Sequence, residues 1–113
     1  MSGLTTHILD TMHGRPAAGV SLRLKRDGGL VTAAITNLDG RCDQPLMTGE
    51  ALATGAYRLE FDIGQYYREL GVLLPMPAFL DVVAIEFGIA DLASHYHVPL
   101  LVSPYGYSTY RGS

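Results

Sequence analysis

Tyr57-Arg58-Leu59-Glu60-Phe61-Asp62-Ile63 is the stretch on which the fold class turns. Its apolar residues fall at every second position, with Arg58, Glu60 and Asp62 between them. Successive side chains of a strand point to opposite faces, so this period marks a half-buried antiparallel strand. Val20-Ser21-Leu22-Arg23-Leu24-Lys25 repeats the pattern upstream. Asp27-Gly28-Gly29 follows it as a hairpin signal and leads into a strand at 30–37. Asn37-Leu38-Asp39-Gly40 marks the next turn. Downstream, residues 79–89 place Val83, Ile85, Phe87 and Ile89 on one face. Residues 94–103 place Tyr96, Val98, Leu100 and Val102 on one face and His95, His97, Pro99 and Leu101 on the other. Pro99 inside that run points to an edge strand or a bulge. A last strand is expected at 105–111. Only residues 64–71, Gly-Gln-Tyr-Tyr-Arg-Glu-Leu-Gly, break the period. They read as one short helix with a glycine stop, which Pro75 and Pro77 keep from continuing. The expectation is a mainly β chain, an antiparallel β-sandwich of seven to eight strands with one short helix.

The 113 residues suit a single domain spanning 1–113, with no linker, repeat or low-complexity segment. Hydrophobic residues make up 48%, enough for a packed core. Charged residues are only 17%, below the roughly 25% usual for soluble domains. Few charges on the large surface of a small domain suggest that part of that surface is covered in an oligomer. Net charge is −3 with no basic run, which argues against a nucleic-acid partner. The lone Cys42 cannot form an internal disulfide and reads as a small, semi-buried residue. No apolar run approaches the ~18 residues of a membrane span, and no signal peptide is visible at the start. A cytoplasmic bacterial protein is the simplest expectation.

Four features could carry chemistry, and each also has a plain structural reading. His7 lies in the first strand and can be a hydrogen-bonded structural residue. Arg41 follows the turn at Asp39-Gly40 and can be a solvated charge. His95 and His97 share one strand face and form a possible metal pair, although no cysteine or acidic cluster completes a coordination sphere. Tyr110-Arg111-Gly112-Ser113 follows a strand and can simply fray. Composition and spacing alone do not choose among these readings.

Three blocks of sequence do. Leu4-Thr5-Thr6-His7-Ile8-Leu9-Asp10 with Gly14-Arg15-Pro16-Ala17 resembles the opening block of the transthyretin-like (prealbumin-like) family. Thr36-Asn37-Leu38-Asp39-Gly40-Arg41 resembles its second block. His95-Tyr96-His97-Val98-Pro99-Leu100-Leu101-Val102-Ser103-Pro104 and Tyr107-Ser108-Thr109-Tyr110-Arg111-Gly112-Ser113 resemble its third. The closing Tyr-Arg-Gly-Ser is the specific part, because it resembles the 5-hydroxyisourate hydrolases and not the hormone-carrying transthyretins. The resemblance implies hydrolysis of a purine-derived small molecule, 5-hydroxyisourate, to 2-oxo-4-hydroxy-4-carboxy-5-ureidoimidazoline, with no metal and no organic cofactor. It implies His7, Arg41, His97 and Ser113 as catalytic residues, with Tyr110, Arg111 and Gly112 joining them in binding substrate. Ser113 would offer a hydroxyl or a terminal carboxylate, and His95 is left structural. The implied assembly is a homotetramer, a dimer of dimers with sites at the dimer–dimer interface. The alternatives are a transthyretin-like small-ligand carrier without catalysis and a metal-dependent hydrolase using His95 and His97.

Overall fold

A computed structural model describes residues 2–113. Among them, seven strands have four or more residues: β1 (Gly3–Asp10), β3 (Ser21–Arg26), β4 (Gly29–Ile35), β6 (Gly55–Asp62), β7 (Val82–Ile89), β8 (His95–Ser103) and β9 (Gly106–Thr109). Two short pairings, β2 (Arg15–Pro16) and β5 (Met47–Thr48), and one helix, α1 (Ile63–Glu69), complete the set. One sheet runs β2-β1-β8-β9, with β5 also on β1, and the other runs β4-β3-β6-β7. The inward residues of both sheets meet in one core, where Leu4, Ile8, Leu22, Leu24, Leu59, Phe61, Leu100 and Val102 are buried. The mainly β sandwich with a single short helix is therefore the observed architecture.

The alternation predicted at 57–63 pairs β6 against β3 on one side and β7 on the other. Its outward charges form a ladder: Arg23 bonds Glu60 and Asp62, and Lys25 and Arg58 both reach Glu60. Those bonds, Arg58 and Lys25 foremost, draw the Glu60 carboxyl down to about 2. The centre of this sheet's outer face is thus charged and internally paired, with Leu30, Ile35 and Val82 exposed around it.

The other sheet departs from the expectation at one pair. β1 and β8 run parallel, with Gly3 opposite His95, Thr5 opposite His97 and His7 opposite Pro99. They come from opposite ends of the chain, so no hairpin forces them antiparallel. Pro99 lies in an inner strand and not at an edge. The carbonyls of His97 and Pro99 both face the C-terminal segment, accepting from Gly112 N and Thr109 Oγ1. The missing proline N–H faces the same side, where the β8–β9 ladder stops at Leu100 opposite Thr109. A strand that lacks a donor there leaves no ladder bond unmade.

The helix is where the sequence places it, shifted by one residue. The N–H groups of Ile63 and Gly64 both donate to Asp81 O. Asp81 is held in that role, so β7 begins at Val82 and not at residue 79. Tyr66 and Tyr67 tie the helix to the sandwich. Their hydroxyls lie 2.8 Å from the two carboxylate oxygens of Asp10, which is fully buried at the end of β1. His13 Nδ1, at 2.6 Å, and the backbone N–H groups of Met12 and His13 complete its hydrogen bonds.

Candidate active site

Strand alternation puts Leu4, Thr6, Ile8 and Asp10 of β1 into the core, and so turns Thr5 and His7 outward. In β8 it buries Tyr96, Val98, Leu100 and Val102 inward and turns His95 and His97 outward. The parallel register then brings four polar side chains into one line. His7 Nδ1 lies 2.6 Å from His97 Nε2. His97 Nδ1 lies 2.8 Å from Thr5 Oγ1, and Thr5 Oγ1 lies 2.9 Å from His95 Nε2. The His7 and His97 ring centroids are 4.8 Å apart. Both nitrogens of His97 are engaged, whereas His7 Nε2 has no partner among the described residues. His97 is buried although polar, and His95 is exposed.

Arg41 arrives by a different route. Asn37 Oδ1 accepts from the N–H groups of Asp39 and Arg41, and Asn37 N–H donates to Arg41 O, which closes the turn. Ile8 N–H donates to Gly40 O and docks the turn on β1, so that Arg41 bridges to His7. Gly40 has φ +71, and a Cβ there would stand 2.6 Å from Ile8 O. Only glycine allows both the left-handed backbone and that approach. The Asp-Gly-Arg order therefore has a mechanical reason: the glycine makes the docking possible and the next residue inherits the position.

This surroundings set the charge state of the rings. Burial, followed by the Arg41 guanidinium, holds His7 below its ordinary value. Burial, then His7, Arg41 and His95, holds His97 down as well, with the Thr5 contact pulling weakly the other way. Both imidazoles are neutral near pH 7 and can accept protons. Cys42, next to Arg41 in the chain, is half-buried, and burial with the neighbouring Asp43 pushes its thiol up, so it stays protonated.

The C-terminal residues divide. Gly112 N–H donates to His97 O at 2.8 Å, and a Cβ on Gly112 would stand 2.8 Å from His97 Cδ2. Gly112 is thus packed against the site, with exposed Ser113 next to it. Tyr110 and Arg111 turn to the other side of β8. They line a groove of about 250 Å³ with Ile85, Phe87, Tyr96 and Val98. There the Arg111 guanidinium stacks 4.1 Å over the Tyr96 ring and donates to His95 O. Within one chain, then, the structure brings together His7, Arg41, His97 and Gly112, and not Tyr110 or Arg111. Thr5, which joins the two outer histidines, was missed. Its position two residues before His7 on the same face was the available signal. Among the described residues no group of three or more His, Cys, Asp or Glu side chains is placed to hold a metal ion.

A cleft of about 110 Å³ opens beside the site, lined by Thr5, Thr6, Arg41, Cys42, Gln44 and Leu46. A cleft of about 440 Å³ lies over the charged ladder of the other sheet. Lys25, Arg58, Glu60 and Glu86 in its lining are ion-paired with one another.

The chain is 56% identical to the 5-hydroxyisourate hydrolase of Pseudomonas aeruginosa, over all of this chain and 93% of that one. The solved 5-hydroxyisourate hydrolase of Klebsiella pneumoniae superposes with a TM-score of 0.86 at 36% identity, covering 100% of both chains. Sea bream transthyretin, solved in complex with thyroxine, superposes with a TM-score of 0.83 at 30% identity over 96% of this chain and 93% of that one. A sequence profile of the HIUase/Transthyretin family matches residues 4–112, which include every residue of the line from His7 to His95. The chain belongs to the HIUase/Transthyretin family.

Proposed function

We propose that this protein hydrolyses 5-hydroxyisourate, opening a ring amide to give 2-oxo-4-hydroxy-4-carboxy-5-ureidoimidazoline. The observation that carries the reading is the direct contact of His7 with His97, beside Arg41, with both rings held below the ordinary histidine value. Water near neutral pH is a poor nucleophile and needs a base. His7 Nε2 is the nitrogen left for it, because His97 is engaged at both nitrogens. His97 orients His7 and shares its proton. Arg41 offers a fixed charge and a planar set of donors to the oxyanion that forms when water adds to the carbonyl. The C–N bond then breaks, and the proton taken from water returns to the leaving nitrogen. Gly112 and Ser113 wall the site. Tyr110 and Arg111 belong to it as the anchor that holds this wall in place.

The protein is proposed to act as a homotetramer. The cleft of one chain, about 110 Å³, falls well below the roughly 300 Å³ at the low end of ligand pockets. A second chain facing the histidine sheet would enclose it, and a closed symmetric assembly is the common way to do so. The outer face of this sheet carries Leu9, Pro99 and Leu101 around the histidines, while the centre of the other sheet's outer face carries paired charges. Sedimentation at micromolar concentration should give four chains. A fully active monomer would contradict the shared site.

The deciding experiment is the ultraviolet absorbance of freshly generated 5-hydroxyisourate. It should disappear faster with the protein than by spontaneous decay, also in the presence of a chelator. Binding without faster decay would mean a carrier on the same fold, and loss of activity on chelation would mean a metal enzyme.

A further inference from the structure

We infer that His95 is a positioning residue for the proposed hydrolysis, serving through Thr5 as the solvent end of a proton relay from His7 and His97. The inference rests on that functional reading and adds two residues to it. Its basis is the unbroken run of contacts His7 Nδ1–His97 Nε2, His97 Nδ1–Thr5 Oγ1 and Thr5 Oγ1–His95 Nε2, at 2.6, 2.8 and 2.9 Å.

A hydroxyl between two imidazole nitrogens can donate to one and accept from the other. The line therefore has two complete hydrogen-bonding patterns, related by moving every proton one step. In the first, His7 Nδ1–H donates to His97 Nε2, His97 Nδ1–H donates to Thr5 Oγ1, and Thr5 O–H donates to His95 Nε2. When His7 Nε2 takes a proton from the attacking water, His7 passes its Nδ1 proton to His97 Nε2. His97 passes its Nδ1 proton to Thr5, and Thr5 passes its hydroxyl proton to His95. The water oxygen, now hydroxide, bonds to the ring carbonyl. His7, His97 and Thr5 end neutral, each having lost one proton and gained one, and His95 ends as the imidazolium. The reverse sequence returns a proton to the leaving nitrogen as the C–N bond breaks.

The direction of the relay follows from where a cation is best tolerated. His97 is buried and His7 half-buried, and both feel the Arg41 guanidinium, so a charge on either is disfavoured. His95 is exposed to solvent at the far end of the line. The charged groups facing the line are Arg41 from the turn on β1 and Arg111 from the C-terminal segment, the latter bound to the backbone of His95 and not to its ring. Moving the proton outward takes positive charge away from Arg41 while the oxyanion forms beside it.

Steady-state kinetics of the intact protein on 5-hydroxyisourate test this, with circular dichroism to confirm folding. Thr5→Val removes the hydroxyl but keeps the shape, and kcat should fall by roughly tenfold or more while KM stays within about twofold. Thr5→Ser should restore most of the rate. His95→Gln can still bond Thr5 but cannot hold the proton, so it should match Thr5→Val and change the pH profile of kcat. Wild-type kcat and pH profile in both His95→Gln and Thr5→Val would overturn the relay. Absence of turnover by the wild-type protein would sink the functional reading instead. The relay would then be judged by imidazole ¹⁵N shifts at fixed pH: His95→Gln should move the His97 signals when Thr5 is present and leave them unmoved in a Thr5→Val background. Signals of His97 indifferent to Thr5 would overturn it.

Discussion

His7 Nδ1 and His97 Nε2 stand 2.6 Å apart, so the two rings share one proton at their contact and cannot both be cations without setting N–H against N–H. Both are held below the ordinary histidine value, by burial first and by Arg41 as well. Activity that needs the pair neutral should therefore hold through pH 7 and decline only once pH falls below about 6.5, the free-histidine value. Measuring kcat/KM against pH checks this. An acid limb above that value would mean that the rings are not the titrating groups.

Each ring should also be indispensable in rate but not in folding. His7→Ala and His97→Ala are each expected to lower kcat/KM by roughly 10² to 10⁴, the worth of a positioned acid or base. The double variant should lose little more than either single one, because the two act as a unit. Independent, additive losses would point to separate roles.

Arg41 has two effects that can be read separately. Arg41→Ala should lower kcat by roughly 10² to 10³ through lost oxyanion stabilisation. It also removes a cation that depresses both histidines, so the acid limb should move to higher pH, toward the free-histidine value. Arg41→Lys keeps a charge without the planar fork, and should recover the position of the limb better than the rate. A lost rate with an unmoved acid limb would place Arg41 away from the rings.

What the sequence revealed follows from how local each feature is. Alternation at 57–63 and 20–25 is a one-dimensional signal, and it located β3 and β6 directly. The two-residue pairings β2 and β5 have no period to detect. The parallel partnership of β1 and β8 joins residues about ninety positions apart, and nothing in either strand's own sequence states the register. His7, Arg41 and His97 were legible through resemblance, and geometry explains their convergence. Thr5 was hidden because a threonine in a strand is ordinary until a register sets it between two histidines. Tyr110 and Arg111 were expected beside the histidines. Within one chain they line a groove with Tyr96 and Val98, and their expected place in a pocket wall shared between chains rests on the resemblance alone.

The buried carboxylate of Asp10 should be a main source of acid sensitivity. Burial opposes its ionisation, but the bonds from His13, Tyr66 and Tyr67 outweigh this and hold its pKa below the usual carboxylate range. A depressed folded-state value contributes stability in full above about pH 4, and that contribution is lost as pH falls through the lower folded value. Asp10→Asn replaces one acceptor oxygen by a donor, which then faces either the Tyr66 hydroxyl and the His13 ring or the Tyr67 hydroxyl and two backbone N–H groups. It should cost roughly 2–4 kcal/mol at pH 7, in line with breaking a buried polar network. Urea midpoints of both proteins from pH 7 to pH 2.5 should converge at the acid end. A gap constant with pH would mean that the charge of Asp10 contributes nothing.

The C-terminal segment offers the most selective test of the site, because folding and turnover should part company there. Gly112 N–H bonds His97 O, yet the residue lies outside the core that joins the two sheets. In Gly112→Ala the new Cβ would meet His97 Cδ2 at 2.8 Å and Pro99 Cγ at 3.2 Å. Pro99 is rigid and both neighbours are buried, so either the segment lifts or the His97 ring turns away from His7. A displacement of that kind is expected to lower kcat by up to roughly 10²-fold with the melting temperature little changed. Removing residues 110–113 goes further. It takes away the bond to His97 O, the Arg111 hold on His95 O and the wall of the site, and should nearly abolish turnover while the circular dichroism spectrum stays that of the β-sandwich. Gly112→Ser should be at least as damaging as Gly112→Ala, since it adds bulk at the same contact. If the shortened protein keeps both its spectrum and near-normal turnover, the segment is a passive end and the assignment of Gly112 and Ser113 to the site is wrong.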